Sequence, residues 1–236
     1  MVQCWYDQII QKSATRKTGS TLRDDLLRKT SIYLLPFVVL LTTAATFYFF
    51  SEWFGKRPGY FFAFAFYWLV WCLTIPLLMI GPGGVVGLYK IRKPALGKKK
   101  LRNIAFLVFP LVLVYCYEFP KVIGNANQIV IVSSAMLAVV NGTLEEILWR
   151  GTFLKIIGEN SKWYVLFSSL GFAIWHFAPQ IVFRNPNPGG AFSFVGVSFA
   201  LGLLYSMVVK DTRSIFLTTV SHILFDFSGL GGRLYF

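Results

Sequence analysis

The sequence predicts an all-α, polytopic integral membrane bundle of about seven transmembrane helices, within a range of six to eight. Three observations carry this. The 236-residue chain is 56% hydrophobic and only 14% charged, against about 45–50% and about 25% in an ordinary soluble domain. Apolar runs near the roughly 20 residues that a membrane helix needs recur along it. Its formal charge of +13 is concentrated in short segments beside those runs. An aromatic content of 18% excludes intrinsic disorder, because disordered chains are poor in aromatics and rich in charge.

Residues 1–30 are polar and lack the short apolar core and small-residue site of a cleavable signal, so the first span is expected to stay as an anchor. That span, 31–50, has no charge. The second, 59–84, is charge-free and crowded with Phe, Tyr and Trp. The third starts at Ile104 and ends near Tyr117 or Gly124. The fourth starts near Gln128, stays uncharged to Leu144, and its pattern continues toward Gly158. The fifth covers 163–179, the sixth 191–209 and the seventh 214–229. Pro36, Pro76 and Pro110 fall inside spans, where proline is tolerated better than in soluble helices. The chain therefore divides into a basic N-terminal segment (1–30), leading helices with a basic loop at 83–103 (31–127), and a core at 128–230. Cys4, Cys72 and Cys116 suggest neither a metal site nor a disulfide framework. The abundant Phe and Trp are expected to face lipid or the interface.

The charge reports orientation. Residues 1–30 hold six basic and three acidic residues. Residues 83–103 hold Lys90, Arg92, Lys93, Lys98, Lys99, Lys100 and Arg102 and no acid. Both segments flank the first pair of spans on one side, which the positive-inside rule assigns to the cytosol. The N-terminus is then cytosolic, the expected location is the cell membrane, and with seven spans Arg233 faces outward. Nucleic-acid binding is disfavoured, since it needs a folded basic surface or aromatic platform. Juxtamembrane basic segments instead suit lipid headgroups.

Charges inside spans are costly and usually functional or paired. Glu145, Glu146 and Asp226 fall in the last four apolar segments, as do both histidines, His176 and His222, while the first three spans carry nothing comparable. Residues four apart share a helix face, which pairs His222 with Asp226 and Glu146 with Arg150. Glu145 is turned about 100° from Glu146. One arrangement has Glu145 facing a cavity while Glu146 is neutralised by Arg150. A helix-end ion pair near the cytosolic interface is the plainer reading of Glu146–Arg150. Two histidines and three carboxylates in the membrane favour a shared site, because polar groups in hydrocarbon seek one another or water.

Three motifs occur in order on these segments: Glu145-Glu146-Ile147-Leu148-Trp149-Arg150 fits EExxxR, Phe172 to His176 fits FxxxH, and His222 to Asp226 fits HxxxN/D. Together, over about 128–230, they resemble the CPBP (Abi) family of intramembrane proteases, which includes the type II CAAX prenyl endopeptidases and bacteriocin-processing or self-immunity proteins. The resemblance implies an intramembrane endopeptidase acting on membrane-anchored or lipidated peptides, at a cavity open toward the cytosol. It implies that Glu145 and His176 activate water, that His222 and Asp226 stabilise the oxyanion or complete a metal site, and that Glu146, Arg150 and Phe172 support the geometry. Many relatives have Asn where this chain has Asp226, and an ionised carboxylate cannot donate to an oxyanion. Asp226 must then be protonated, orient His222, or ligate a metal. Zinc is an option, held by Glu145, His176, His222 and Asp226, although HExxH is absent; a metal-independent glutamate mechanism is preferred.

The rival readings are a non-catalytic membrane immunity or sensor-modulating protein of the same fold, and a proton-coupled carrier, for which the internal repeats expected of carriers are missing. Boundaries also raise a geometric problem. His176 lies about 20 Å along its helix from the cytosolic end and His222 only about 12 Å along its own. A shared site then needs staggered, tilted or broken helices.

Overall fold

The computed structural model describes the backbone of residues 2–229 and the side chains of residues 27–229. Cys4, Arg233 and the charges of residues 1–26 lie outside the described side chains. All regular structure among the described residues is helical.

Helix α1 (Val2–Phe54) turns at Gly55, whose φ of 83° is open to a residue without Cβ, and α2 (Lys56–Phe66) runs back against it. The chain passes through a π-helical stretch, Tyr67–Thr74, into α3 (Ile75–Leu88). Helix α4 (Lys100–Tyr117) and the short α5 (Phe119–Ile123) lead to α6 (Gln128–Glu145). Asn127 caps α6 by accepting from the Val130 N–H at 3.0 Å. A second π-helical stretch, Glu146–Thr152, continues α6 into α7 (Phe153–Ile157). Helix α8 (Lys162–Trp175), capped by Ser161, is followed by a 3-10 turn at Pro179–Ile181. Helices α9 (Gly190–Thr212) and α10 (Phe216–Ser228) complete the described fold.

Among the described residues, five helical stretches are long and apolar enough to cross a membrane: Leu27–Phe54, Lys56–Leu88 (kinked at Gly81), Lys100–Tyr117, Gln128–Ile157 and Gly190–Thr212. The fifth and seventh apolar runs are helical but shorter than expected. At 14 and 13 residues, α8 and α10 reach about 21 and 20 Å, short of a hydrocarbon layer about 30 Å thick. Helix α8 stops at Trp175, four residues before Pro179, and α10 stops at Ser228.

Both short helices start from the same face of the bundle. The Ile215 N–H donates to the Leu88 carbonyl at 3.0 Å, joining the ends of α3 and α10. The Lys99 N–H donates to Asp211 at 2.9 Å, joining α4 to the end of α9. Lys210 donates to the Ser161 carbonyl, and Arg213 pairs with Glu159 at 2.8 Å. The other face is marked by Tyr60 against Phe183 and by Phe119 against Phe227.

The interior is aromatic. Trp149, Trp175, Tyr67, Tyr164, Tyr205, Phe153 and Phe172 are buried, which corrects the expectation that the rings serve only the lipid boundary. Exposed residues such as Leu41, Leu78, Ile129 and Met136 supply the apolar outer surface. Helices α6 and α10 pack closely at Gly142, where a Cβ would lie 2.9 Å from the Ile223 backbone nitrogen. Small residues permit such approach between membrane helices, and this contact brings the Glu145 turn against the His222 turn.

Candidate active site

The described structure gathers Glu145, Glu146, Arg150, His222 and Asp226 around one imidazole. Glu145, Glu146, Arg150 and His222 are at most 2% exposed. His222 Nδ1 is 3.0 Å from Glu146 Oε1. A carboxylate oxygen accepts, so Nδ1–H donates. On the opposite edge of the ring, Nε2 lies 3.5 Å from Glu145 Oε2 and 3.6 Å from Asp226 Oδ1. The two adjacent glutamates therefore hold the same ring from different sides. Their angular separation on the helix and the widening that begins at Glu146 make this grip accessible; π-helical turns frequently occur at functional sites.

Glu146 Oε1 is also 3.1 Å from Arg150 Nη1, with both side chains fully buried. This is a pair in the interior of the 30-residue stretch Gln128–Ile157, which corrects the reading of it as an interfacial helix-end contact. Arg150 makes no hydrogen bond of regular geometry among the described residues. Its attraction to Glu146 is Coulombic, and its guanidinium lies 3.9 Å over the Phe172 ring and 5.7 Å from the Tyr205 ring centroid. Ring faces attract cations most strongly where water is excluded.

Residues not singled out in the sequence complete the surroundings. Tyr67 donates to Glu145 Oε1 at 3.0 Å, and Trp149 Nε1 donates to the Tyr67 oxygen at 2.8 Å. Asn141 donates through Nδ2 to Glu145 Oε2 at 3.1 Å and to Asp226 Oδ2 at 2.7 Å. Its Oδ1 accepts from Trp68 Nε1 at 2.8 Å. The indole N–H can only donate, so this bond assigns the Asn141 amide orientation and turns its NH2 toward the two carboxylates. Asn141 could have been found from its position one turn before Glu145 on the same face. For Tyr67 and Trp68, two rings among many in an apolar run, the sequence carries no such signal. The leading spans thus do reach the polar centre.

His176 stands apart. It follows the last residue of α8, and its Nδ1 lies 2.6 Å from the Phe172 carbonyl. The carbonyl accepts, so Nδ1–H donates and Nε2 is left as the acceptor of the neutral ring. No hydrogen bond or ion pair joins it to Glu145, His222 or Asp226 among the described residues. Phe172 links the two histidines, with ring centroids 4.6 Å from His176 and 5.7 Å from His222. The stagger persists: Phe172, one turn before His176, is the residue of α8 that packs against His222.

A cavity of about 280 Å3 adjoins this centre, with Asn141 and Asp226 as its polar end and Tyr60, Phe61, Phe64 and Trp68 along one wall. Phe194, whose ring packs 5.5 Å from His176, also lines it. The lining residues of α2, α6 and α9 lie toward the helix ends remote from the Leu88–Ile215 face, and Gly229 lies past the end of α10. Relative to the basic loop, the cavity is on the opposite side, whereas an opening on the basic side was expected.

As for zinc, no group of three or more His, Cys, Asp and Glu among the described residues has the arrangement of a metal centre. No hydrogen bond or ion pair among the described residues joins His176 to the other three, and one Asn141 NH2 bridges oxygens of both Glu145 and Asp226. The four-residue zinc set does not fit this geometry.

Residues 127–228 match the family model described as type II CAAX prenyl endopeptidase Rce1-like. No curated protein and no solved structure matches the chain.

Proposed function

We propose that the Rce1-like type II CAAX prenyl endopeptidase domain spanning residues 127–228 makes this integral membrane protein an intramembrane protease of CAAX type, cutting membrane-anchored or lipidated peptides. The observation that carries the reading is a buried cluster of carboxylates and imidazole beside an apolar, aromatic-walled cavity. A soluble protease has no need to place its polar centre among spans. An apolar wall next to the reacting groups suits a peptide carrying a lipid chain, a prenyl chain among them.

Glu145 is the general base. Tyr67 and Asn141 hold its two oxygens, and pre-oriented groups of this kind reduce the reorganisation needed during reaction. Glu145 takes a proton from water while the water oxygen bonds to the scissile carbonyl carbon. His176, through its free Nε2, holds that water from the cavity side. The oxyanion of the tetrahedral intermediate is met by His222 Nε2–H, with Glu146 and Arg150 fixing the imidazole from behind. Asp226, held by Asn141, orients His222 and balances its charge. The C–N bond then breaks, the proton on Glu145 passes to the leaving amine, and the carboxylate is restored. Each proton move uses a positioned side chain of the type that contributes about 10²–10⁴-fold.

The test is reconstitution of the full chain with lipopeptides of varied anchor. Glu145→Ala and His176→Ala are expected to abolish or nearly abolish cleavage, and retention of full cleavage by both overturns the assignment. Elemental analysis and cleavage in the presence of a chelator decide whether zinc takes part. Full restoration of a deletion phenotype by Glu145→Gln and His222→Ala would establish the non-catalytic reading instead.

A further inference from the structure

We infer that the catalytic cavity opens to the extracytosolic side, so that the peptides it cuts present their scissile bonds outside the cytosol. The substrate part of this inference rests on the protease reading above; the sidedness does not.

Two distributions fix the side. The first is charge. The face where α3, α4, α7, α8, α9 and α10 have their linked ends holds the loop with Lys90, Arg92, Lys93, Lys98, Lys99, Lys100 and Arg102. Lys155, Lys162, Lys210 and Arg213 join it there, and Arg28 and Lys29 begin the first span on the same side. Tyr33 confirms that placement by packing on Phe167, one turn after Trp163 at the start of α8. The opposite face has only Lys56, Arg57, Lys121 and Arg184 as described Lys and Arg. Orientation follows Lys and Arg in short loops, with acidic residues contributing little. The crowded face is therefore cytosolic.

The second distribution is space. Both short helices start on the crowded face. At about 20 Å each, they end inside the bilayer, and the room beyond their ends belongs to the other side. The cavity lies there. Its lining residues Tyr60, Phe61, Phe64 and Trp68 are on a stretch that begins at Lys56, and on α9 the lining residue is Phe194, four residues after Gly190. Phe61, Phe194 and Gly229, all exposed, form the rim. On the crowded side, the Leu88–Ile215 bond and the packing of Leu88 against Gly151 close the bundle beneath the polar centre. A peptide reaching Glu145 through this cavity comes from the extracytosolic leaflet or the water beyond it.

The experiment uses the full chain in cells and in sealed vesicles of known sidedness, with Cys4, Cys72 and Cys116 replaced by Ser. Phe194→Cys and Lys98→Cys are introduced separately, and a membrane-impermeant maleimide is the probe. The expected result is labelling of the Phe194 position in intact cells, and of the Lys98 position only in inverted or permeabilised membranes. Labelling of both from the cytosolic side overturns the inference, as does labelling of Lys98 from outside. Failure of the Phe194 position to label from either side would mean an opening into lipid and would also overturn it. Should the Ser background not fold, the same comparison is made with Cys72 retained, since that residue is buried. Cleavage of lipopeptides added to either side of oriented proteoliposomes is a separate readout. Expected labelling without any cleavage leaves the sidedness standing and refutes the protease reading.

Discussion

Replacing Arg150 by Met tests the polar centre without depending on any assay of activity. The guanidinium is fully buried, 3.1 Å from Glu146 and stacked 3.9 Å over Phe172. Met keeps much of the volume and the aromatic contact but leaves Glu146 as a buried carboxylate with the His222 Nδ1–H as its remaining partner. Breaking a buried pair from one side costs about 3–5 kcal/mol. Glu146→Gln with Arg150→Met removes both charges and keeps an acceptor toward His222, so the double variant is expected within about 1–2 kcal/mol of the parent, in line with neutral replacement of buried pairs. The double variant is then about 2–3 kcal/mol more stable than Arg150→Met alone. Reversible unfolding of the full chain in mixed micelles measures all four corners of the cycle. A cost below about 1 kcal/mol for Arg150→Met, or additive effects in the double variant, would refute the claim that this pair is desolvated and mutually dependent.

Two further outcomes are expected. Asn141→Ala removes donors to both Glu145 and Asp226, each worth roughly 1.5–3 kcal/mol when the partner is charged; if about 3 kcal/mol of that acts on the transition state, kcat/KM falls by about two orders of magnitude. Asn141→Asp keeps the Trp68 bond but not the donor, so it should be no more active than Asn141→Ala, and near-parental cleavage by the Asp variant would eliminate the donor role. Asp211→Ala frees the Lys99 amide and one bond of buried Asn103; hydrogen exchange should show the Lys99 amide losing protection while amides around Glu145 stay protected.

Much of the site was legible because hydrocarbon makes polar residues rare and therefore informative. Glu145, Glu146, Arg150, His222 and Asp226 stand out in apolar runs, and i, i+4 spacing already pairs Glu146 with Arg150 and His222 with Asp226. The shared grip on His222 was not legible. A regular helix separates Glu145 and Glu146 by about 100°, and only the packing at Gly142 and the π-helical widening decide that both reach one ring. Tyr67, Trp68 and Trp149 were hidden for a different reason: an amphipathic ring can face lipid or donate inward, and its neighbours in sequence do not tell which. His176 differs again: its motif places it on the right helix, and the structure gives it a bond to Phe172 and none to Glu145 among the described residues.

Composition and spacing were sufficient for the class of fold, the apolar runs, and the asymmetry of charge, because each depends on solvation of residues taken a segment at a time. Tertiary structure alone decided where helices stop and what lies beyond their ends. Residues 163–179 and 214–229 read as full spans, yet α8 and α10 end within the bilayer's thickness. That shortfall leaves room for the cavity. Its position depends on contacts between distant parts of the chain, Leu88 with Ile215 and Lys99 with Asp211, which no local pattern encodes.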